Sequence, residues 1–438
     1  MNASGSSASA PPSAQDEAST LSVAWARIAN NPRRLFWIKL VSLAALTLVV
    51  ILLRRPDQFA APYVWVEDGS ENLRDFLAHG WGSLWHPISG YFSVPIKFVH
   101  ALSMTLSFRW LPEISLILTL LFCYGVLAAV AFAPTALRWP FSCAVAVLLI
   151  PTDAEAFGVS LYVGWWGTLL VLVALLWNTE KRRNGWRTGL LAIGALSSPL
   201  VVGIAPLFVI RALLLRRRGE LITSGVALLL AAVQWMAISR ARIGPGIGVL
   251  SSNIGIVVER FFGFFLDSSD RFTAAGGVIY LGCMLAMFLA VTWLGHRRQL
   301  GLVFVLLALA LGAAIAASIS RVSVDAIHPI YGGPRYFFFP YILLSWMLLQ
   351  IAALDRTNLR LMTCVLLAMA FRNTLDGGRR THGSLDWRAE IERCLDEPNA
   401  QLRIHFAGDV NNVWRVNLSR EDCAELVRRS WFDNKVTP

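Results

Sequence analysis

Long apolar runs separated by short polar stretches dominate the chain from residue 36 onward. About 20 apolar residues at 1.5 Å rise carry a helix across a 30 Å hydrocarbon core. Such runs recur too often here to form one water-soluble core. They predict spans at about 36–53, 114–132, 139–150, 163–177, 221–238, 274–294, 300–318, 336–354 and 359–371. The stretch Thr188 to Leu215 has basic clusters at both ends and therefore reads as a hairpin. Its apex is Ser197-Ser198-Pro199, where proline removes a backbone donor and serine hydroxyls satisfy freed carbonyls. Both arms are short enough for one to be re-entrant. The pattern predicts an all-α polytopic membrane protein with about eleven transmembrane helices.

The polar stretches orient these spans. Arg27, Arg33 and Arg34 precede the first one, and further basic clusters lie at Lys181 to Arg187, Arg216 to Arg218, His296 to Arg298 and Asp355 to Arg360. Positive charge in short loops marks the cytoplasmic side, which puts the N-terminus inside. Residues 1–35 read as a disordered cytoplasmic segment, rich in Ser and Ala, with the first anchor following instead of a cleavable leader. The long first loop, 54–113, is then external, as are 151–162, 239–272, 321–335 and the tail 372–438. Within the first loop, Val94 to Phe108 is apolar enough to lie in the interface, and the pattern does not decide whether it crosses.

The tail has the periodicity of a small α+β appendage. Trp387, Ile391, Cys394 and Leu395 follow helical spacing, whereas Ile404 and Phe406, then Trp414, Val416 and Leu418, alternate as in half-buried strands. Ser419 with Asp422 opens a final helix carrying Cys423, Leu426 and Val427.

Composition sharpens this picture. The chain is 56% hydrophobic and only 15% charged, against about 25% charged in soluble domains. The net charge of +11 sits in short clusters between apolar runs, and no nucleic-acid-binding motif accompanies it, which excludes a nucleic-acid partner. Cys123, Cys143, Cys283 and Cys364 fall in spans as packing residues. Cys394 and Cys423 share the tail, where an oxidising compartment lets them pair, although spacing alone does not fix their separation. Charge is almost missing from the spans, which argues against an ion-coupled relay. No phosphate-binding loop, HExxH or nucleophile elbow is present.

Candidate chemistry gathers on the external side. Adjacent carboxylates at Glu67-Asp68-Gly69, in aromatic surroundings, raise one another's pKa, so that one suits a general base or a divalent cation. The ordinary reading is a solvated Asp-Gly turn. The run Trp81 to Tyr91, with His86, reads as an interfacial anchor or as a platform for a sugar ring or lipid chain. The segment His328 to Tyr336 ends in Arg335 where an apolar span begins. Arginine there either snorkels to headgroups or holds phosphate oxygens. Lys97, Arg321 and His328 are further candidate substrate contacts. Arg321 with Asp325, and Asp267, Asp270 and Arg271, are weaker candidates that salt bridges or headgroup contacts explain, and Asp153 and Glu155 are acids of the second external loop whose proximity to Glu67–Asp68 the sequence does not fix.

With these features in place, the chain resembles the GT-C superfamily of membrane glycosyltransferases, and most of all its bacterial members of unassigned function. The likeness covers roughly Phe36 to Leu354. It rests on the long first loop with Glu67-Asp68-Gly69 soon after the first helix, the His86-Pro87-Ile-Ser-Gly90-Tyr91 segment, the Leu196-Ser-Ser-Pro199 hairpin and the Gly333-Pro334-Arg335-Tyr336 entry to a late span. The acidic pair reads Glu-Asp where several members carry an aspartate-centred motif, and the tail differs from the soluble domains of the oligosaccharyltransferases.

The resemblance implies transfer of a sugar from a polyprenyl-phosphate-linked donor to an extracytoplasmic acceptor in a bacterial inner membrane. Asp68 or Glu67 would be the base, and Arg335 the phosphate contact. Tyr336, His86, Tyr91, Lys97, Arg321 and His328 would surround the substrates, with no cofactor required and a divalent cation compatible. A transporter or flippase of lipid-linked saccharide is the alternative from another class, and an O-antigen-polymerase-like enzyme is a third.

Overall fold

The computed structural model describes residues 31–178, 180, 184–241, 254–267, 275–282, 286, 298–354, 356–405 and 413–435. The expected disordered segment, most of the span at 274–294, Cys283, Asp270, Arg271 and Phe406 fall outside them. The described chain is mostly helical. Its longer helices are α1 (Pro32–Arg54), α2 (Leu73–His79), α3 (Val94–Leu106), α4 (Leu111–Phe132), α5 (Pro140–Leu148), α6 (Val163–Leu175), α7 (Asn184–Ala195), α8 (Leu200–Leu215), α9 (Arg218–Arg240), α10 (Arg298–Arg321), α11 (Phe338–Ala352) and α12 (Thr357–Gly377). The tail adds α13 (Trp387–Asp396), β1 (Asn399–His405), β2 (Val413–Ser419) and α14 (Arg420–Arg429).

Five helices among the described residues are long and apolar enough to cross a membrane: Pro32–Arg54, Leu111–Phe132, Arg218–Arg240, Gly301–Arg321 and Pro334–Ala352. They make this a multi-pass membrane protein. The last of them is packed in protein along most of its length, every residue of α11 being buried. Helices α5 and α6, at 9 and 13 residues, are shorter than the runs that predicted them, and the two arms of the hairpin, α7 and α8, have 12 and 16 residues. At 1.5 Å per residue the longest reaches about 24 Å, short of the hydrocarbon core. The predicted break falls in place, since α7 ends at Ala195 and α8 begins at Leu200. Helix α3, with 13 residues, is about 20 Å long, likewise less than the thickness of the core.

Charge is not missing from the helical body. Arg211, within one predicted arm, is buried together with Arg187 and Glu220. Arg187 makes a two-pronged pair with Glu220 at 3.0 and 2.9 Å, and Arg211 Nε donates to the same carboxylate at 3.0 Å. Both guanidinium groups also donate to the carbonyls that end α6: Arg187 to Ala174, and Arg211 to Leu175 and Trp177. A helix end leaves such carbonyls without partners, so the two arginines cap α6 and one glutamate balances them. A scan for apolar runs reads Arg187 and Arg211 as loop or snorkelling charge, and Glu220 only becomes their partner once α7, α8 and α9 meet.

The tail follows its periodicity closely. β1 and β2 pair antiparallel, with Leu402 opposite Val416 and Ala400 opposite Leu418, and Ser419 with Asp422 forms the predicted capping box. Trp414 departs from the alternation. It is 44% exposed and lies opposite Ile404, one pair from the end of the ladder where the two strands are connected.

The tail does not stand apart from the first loop. One apolar cluster joins Val64, Leu73, Phe76, Met104 and Phe108 to Trp387, Ile391, Leu402, Val416, Leu426 and Val427. Trp387 Nε1 donates to the Phe108 carbonyl at 2.8 Å, and its ring meets Phe108 edge-on. First loop and tail therefore lie on the same side of the membrane.

Cys394 and Cys423 form a disulfide joining α13 to α14, 29 positions apart, inside that shared core. A loop of that size is worth about 3–4 kcal/mol through the unfolded chain. Reduction, or Cys394→Ala, is expected to lower the melting temperature of the tail. Unchanged protease resistance of residues 387–429 after reduction would contradict this.

Candidate functional site

The acidic motif is not a solvated turn. Val64, Trp65, Val66 and Asp68 are buried, and Asp68–Asn72 forms a π-helical turn. The glycine after the acids has a steric reason. A Cβ on Gly69 would sit 2.8 Å from Ile404 Cδ1 and 3.3 Å from Val416 Cγ2, because the tail's sheet packs directly on this turn. One turn of backbone thus sends the two neighbouring carboxylates into different environments.

Asp68 turns into the protein. Its side chain is 1% exposed, lies 2.6 Å from His100 Nε2, and accepts from Ser160 Oγ at 2.8 Å and Asn72 Nδ2 at 3.2 Å. Every direction open to it is taken by a fixed partner, so it ties the turn to α3 and to the start of α6. Glu67 lines a cavity of about 810 Å3, and its Oε2 is buried without a hydrogen-bond partner. Burial raises its pKa to about 6, with Asp68 and Glu71 adding repulsion and Arg335 opposing.

The same cavity gathers residues from distant parts of the sequence. Tyr91 comes from the first loop, Ser197 and Ser198 from the apex between α7 and α8, Arg321 from the end of α10, and Arg335 and Tyr336 from the entry to α11. Gly333 directs that entry. Its φ of +61° suits glycine, and a Cβ there would meet the Tyr336 ring at 2.8 Å. Arg335 Nη1 donates to Glu155 Oε1 at 2.7 Å and to the Tyr162 hydroxyl at 3.0 Å. Glu155 in turn accepts from Tyr162 and lies 3.8 Å from Arg380, which pairs with Asp153 at 2.9 Å.

One nitrogen of Arg335 is thus fixed to the wall, while the side chain remains 33% exposed. Tyr91 senses Arg335, Arg321 and Glu67 together, and burial pushes its hydroxyl up to about 12. Apolar or small side chains complete the lining: Trp165, Phe339, Trp235, Ala313 and Ala317. Trp165 stacks on Phe339 at 5.5 Å and meets Tyr336 edge-on.

Of the residues singled out in the sequence, Glu67, Tyr91, Arg321, Arg335 and Tyr336 meet in this cavity, and Asp68, His86, Lys97 and His328 do not line it. Lys97 is buried and paired with Asp75. His86 packs beside His79 at 4.0 Å between ring centres. His328 stacks on Tyr331 at 4.7 Å and accepts backbone N–H groups of its own turn. Among the described residues no three His, Cys, Asp or Glu side chains converge as metal ligands.

The sequence reading passed over a second buried polar cluster. Asp57 lies 3.3 Å from Arg55 Nε, accepts from the Tyr63 hydroxyl at 2.8 Å, and lies 3.1 Å from His382 Nδ1, with His405 packed on the Tyr63 ring at 4.2 Å. Burial alone would raise the Asp57 pKa. The hydrogen bond with His382 and the Arg55 charge outweigh it and hold the carboxylate well below the usual range. This cluster fastens the chain after α1 to the tail. The two histidines sit more than 300 positions from Asp57 and Tyr63, so no local pattern announces it.

Chemically, the cavity combines a carboxylate whose pKa is raised to about 6, two guanidinium groups, and aromatic and apolar side chains. That set suits an amphiphile with an anionic head. Comparison of the chain with protein-family models, curated proteins and solved structures gives no match.

Proposed function

We propose that this protein is a GT-C-type membrane glycosyltransferase that moves a sugar from a polyprenyl-phosphate-linked donor to an extracytoplasmic acceptor. The observation that carries the reading is that Glu67, whose Oε2 is buried without a hydrogen-bond partner, lines the same cavity as Arg321 and Arg335. In the transfer, the acceptor oxygen bonds to the anomeric carbon as the bond from that carbon to the phosphate oxygen breaks. Glu67 takes the proton of the acceptor hydroxyl. The departing phosphate is stabilised by Arg335, whose Glu155–Tyr162 tether holds it in place before the charge develops. Trp165 and Phe339 line the route of the lipid chain.

The topology completing this reading has about eleven crossings, a cytoplasmic N-terminus, an extracytoplasmic tail and a bacterial inner membrane around it. The shared core of first loop and tail supports it, since it requires an even number of crossings between α4 and α13.

The test is transfer of labelled sugar from a panel of polyprenyl-phosphate donors in reconstituted membranes, comparing wild type with Glu67→Gln, Asp68→Asn and Arg335→Ala at matched folded protein. Loss at Glu67 and Arg335 supports the reading. Donor lipid that changes leaflet without being consumed, with equal behaviour of all variants, favours a flippase instead.

A pH profile follows from the raised carboxylate. A base works only when deprotonated, so transfer is expected to fall with falling pH through about 6 and to level off above it. A profile flat from pH 5 to 8, with Glu67 intact, would remove Glu67 from the proton transfer.

A further inference from the structure

Near its end the chain places large aromatic side chains in the open. Trp431 and Phe432 are 58% and 51% exposed, and they stack at 5.3 Å with 17° between ring planes. Trp110 is 46% exposed. These rings are not on a loose end. The Trp431 and Phe432 N–H groups donate to the Thr105 and Leu106 carbonyls at 2.8 and 2.9 Å. Buried Asp433 accepts from Ser107 Oγ at 2.6 Å and from the N–H groups of Phe108 and Arg109 at 2.7 and 3.1 Å.

The pair is thereby pinned against the tight connection between α3 and α4. Trp110 is the residue that leads into α4, one of the five helices able to cross the bilayer. The aromatic rings therefore stand where the chain enters the membrane.

Two cations stand over these rings. The Arg388 guanidinium lies over the Trp110 ring at 4.3 Å, and the Lys435 ammonium lies over the Trp431 ring at 5.1 Å. Neither has an ion-pair partner among the described residues. Of the nearby acids, Asp433 is held by the turn, Glu392 by Arg109 and Asp386 by the Ala389 N–H, while Glu113 interacts with Arg388. Indole rings with cations above them match the headgroup layer, where the ring meets acyl chain and the cation meets phosphate.

We infer that Trp110, Trp431 and Phe432, with Arg388 and Lys435, form a seat that rests the C-terminal segment on anionic phospholipid headgroups of the bilayer that α4 enters. The occupant is lipid and not a partner protein, because the patch continues directly into a membrane helix and its cations match phosphate. The inference does not depend on the chemistry of the cavity.

The test uses the full chain with Cys283→Ser and Cys364→Ser, reconstituted in vesicles of phosphatidylethanolamine and phosphatidylglycerol. A spin label is placed at Phe432→Cys, Lys435→Cys or, as an aqueous control on β2, Asn417→Cys. Collisions with oxygen, which concentrates in lipid, are compared with collisions with a water-soluble nickel chelate. The oxygen-to-nickel ratio is expected to be several-fold higher at 432 than at 417, with 435 between them. The excess at 435 should shrink when phosphatidylcholine replaces phosphatidylglycerol.

Equal ratios at 432 and 417 overturn the seat, and so does shielding of 432 from both reagents, which indicates a protein cover. An excess at 435 indifferent to anionic lipid overturns the role given to the cations. Retention of the Cys394–Cys423 disulfide checks that each variant is folded, and the 435 label carries the test if the 432 variant is not.

Discussion

Glu67→Gln is expected to reduce transfer by about 10²–10⁴-fold, the usual contribution of a positioned base, while leaving the melting temperature nearly unchanged. The substitution keeps the shape of a side chain whose Oε2 has no partner to lose. Asp68→Asn should behave in the opposite way. Asp68 is bonded to Ser160 and Asn72 and sits against His100, so removal of its charge disturbs a packed junction. The cost is about 1–3 kcal/mol of stability, with transfer per folded molecule largely retained. The pair of measurements separates a reacting carboxylate from a structural one. If Asp68→Asn is the dead variant and Glu67→Gln remains active, the reaction does not take place at the cavity face of this turn.

Glu220→Ala is expected to lower stability by about 3–5 kcal/mol, as in other cases where one member of a buried ion pair is removed. A single carboxylate at 1% exposure balances both Arg187 and Arg211, and its loss strands two buried cations. Glu220→Gln keeps acceptor oxygen for one guanidinium and should lose less. Replacing all three by methionine is not expected to restore the wild-type value, because the carbonyls of Ala174, Leu175 and Trp177 would then lose their donors. The measurement is the unfolding midpoint in detergent. A wild-type midpoint for Glu220→Ala would show that water reaches this cluster and that the charges are solvated.

The comparison of pattern with structure divides along a physical line. Features governed by local periodicity were legible: the apolar runs, the break at Ser197 to Pro199, and the helix, two strands and capped helix of the tail. Arg335 and Tyr336 stand out in the sequence because a charge at the mouth of an apolar run has few inexpensive environments, and both line the cavity. What stayed hidden depends on contacts between distant segments. Nothing in Glu67-Asp68 tells which carboxylate faces the cavity, since that is set by the tail's Ile404 and Val416 pressing on Gly69. The Asp57–Tyr63–His382 cluster and the Arg187–Glu220–Arg211 pairing were hidden for the same reason. His86, Lys97 and His328 carry the right chemistry, yet each is satisfied close to home.

The shared core of first loop and tail has a consequence for how the protein is made. Ser107 and Asp433 bond across 326 positions, and the apolar faces of Val64, Phe76, Met104 and Phe108 are covered by residues near the end of the chain. At about 5–20 residues per second of synthesis, the first loop waits roughly tens of seconds before its covering segment exists. During that interval its apolar surface depends on the bilayer or on a holding chaperone. Arrival of the last fifty or so residues, and not insertion of the helices, is then the event that commits the molecule to its folded form. A nascent chain arrested short of Trp387 should display its defect at the opposite end of the sequence, as cleavage within residues 64–108.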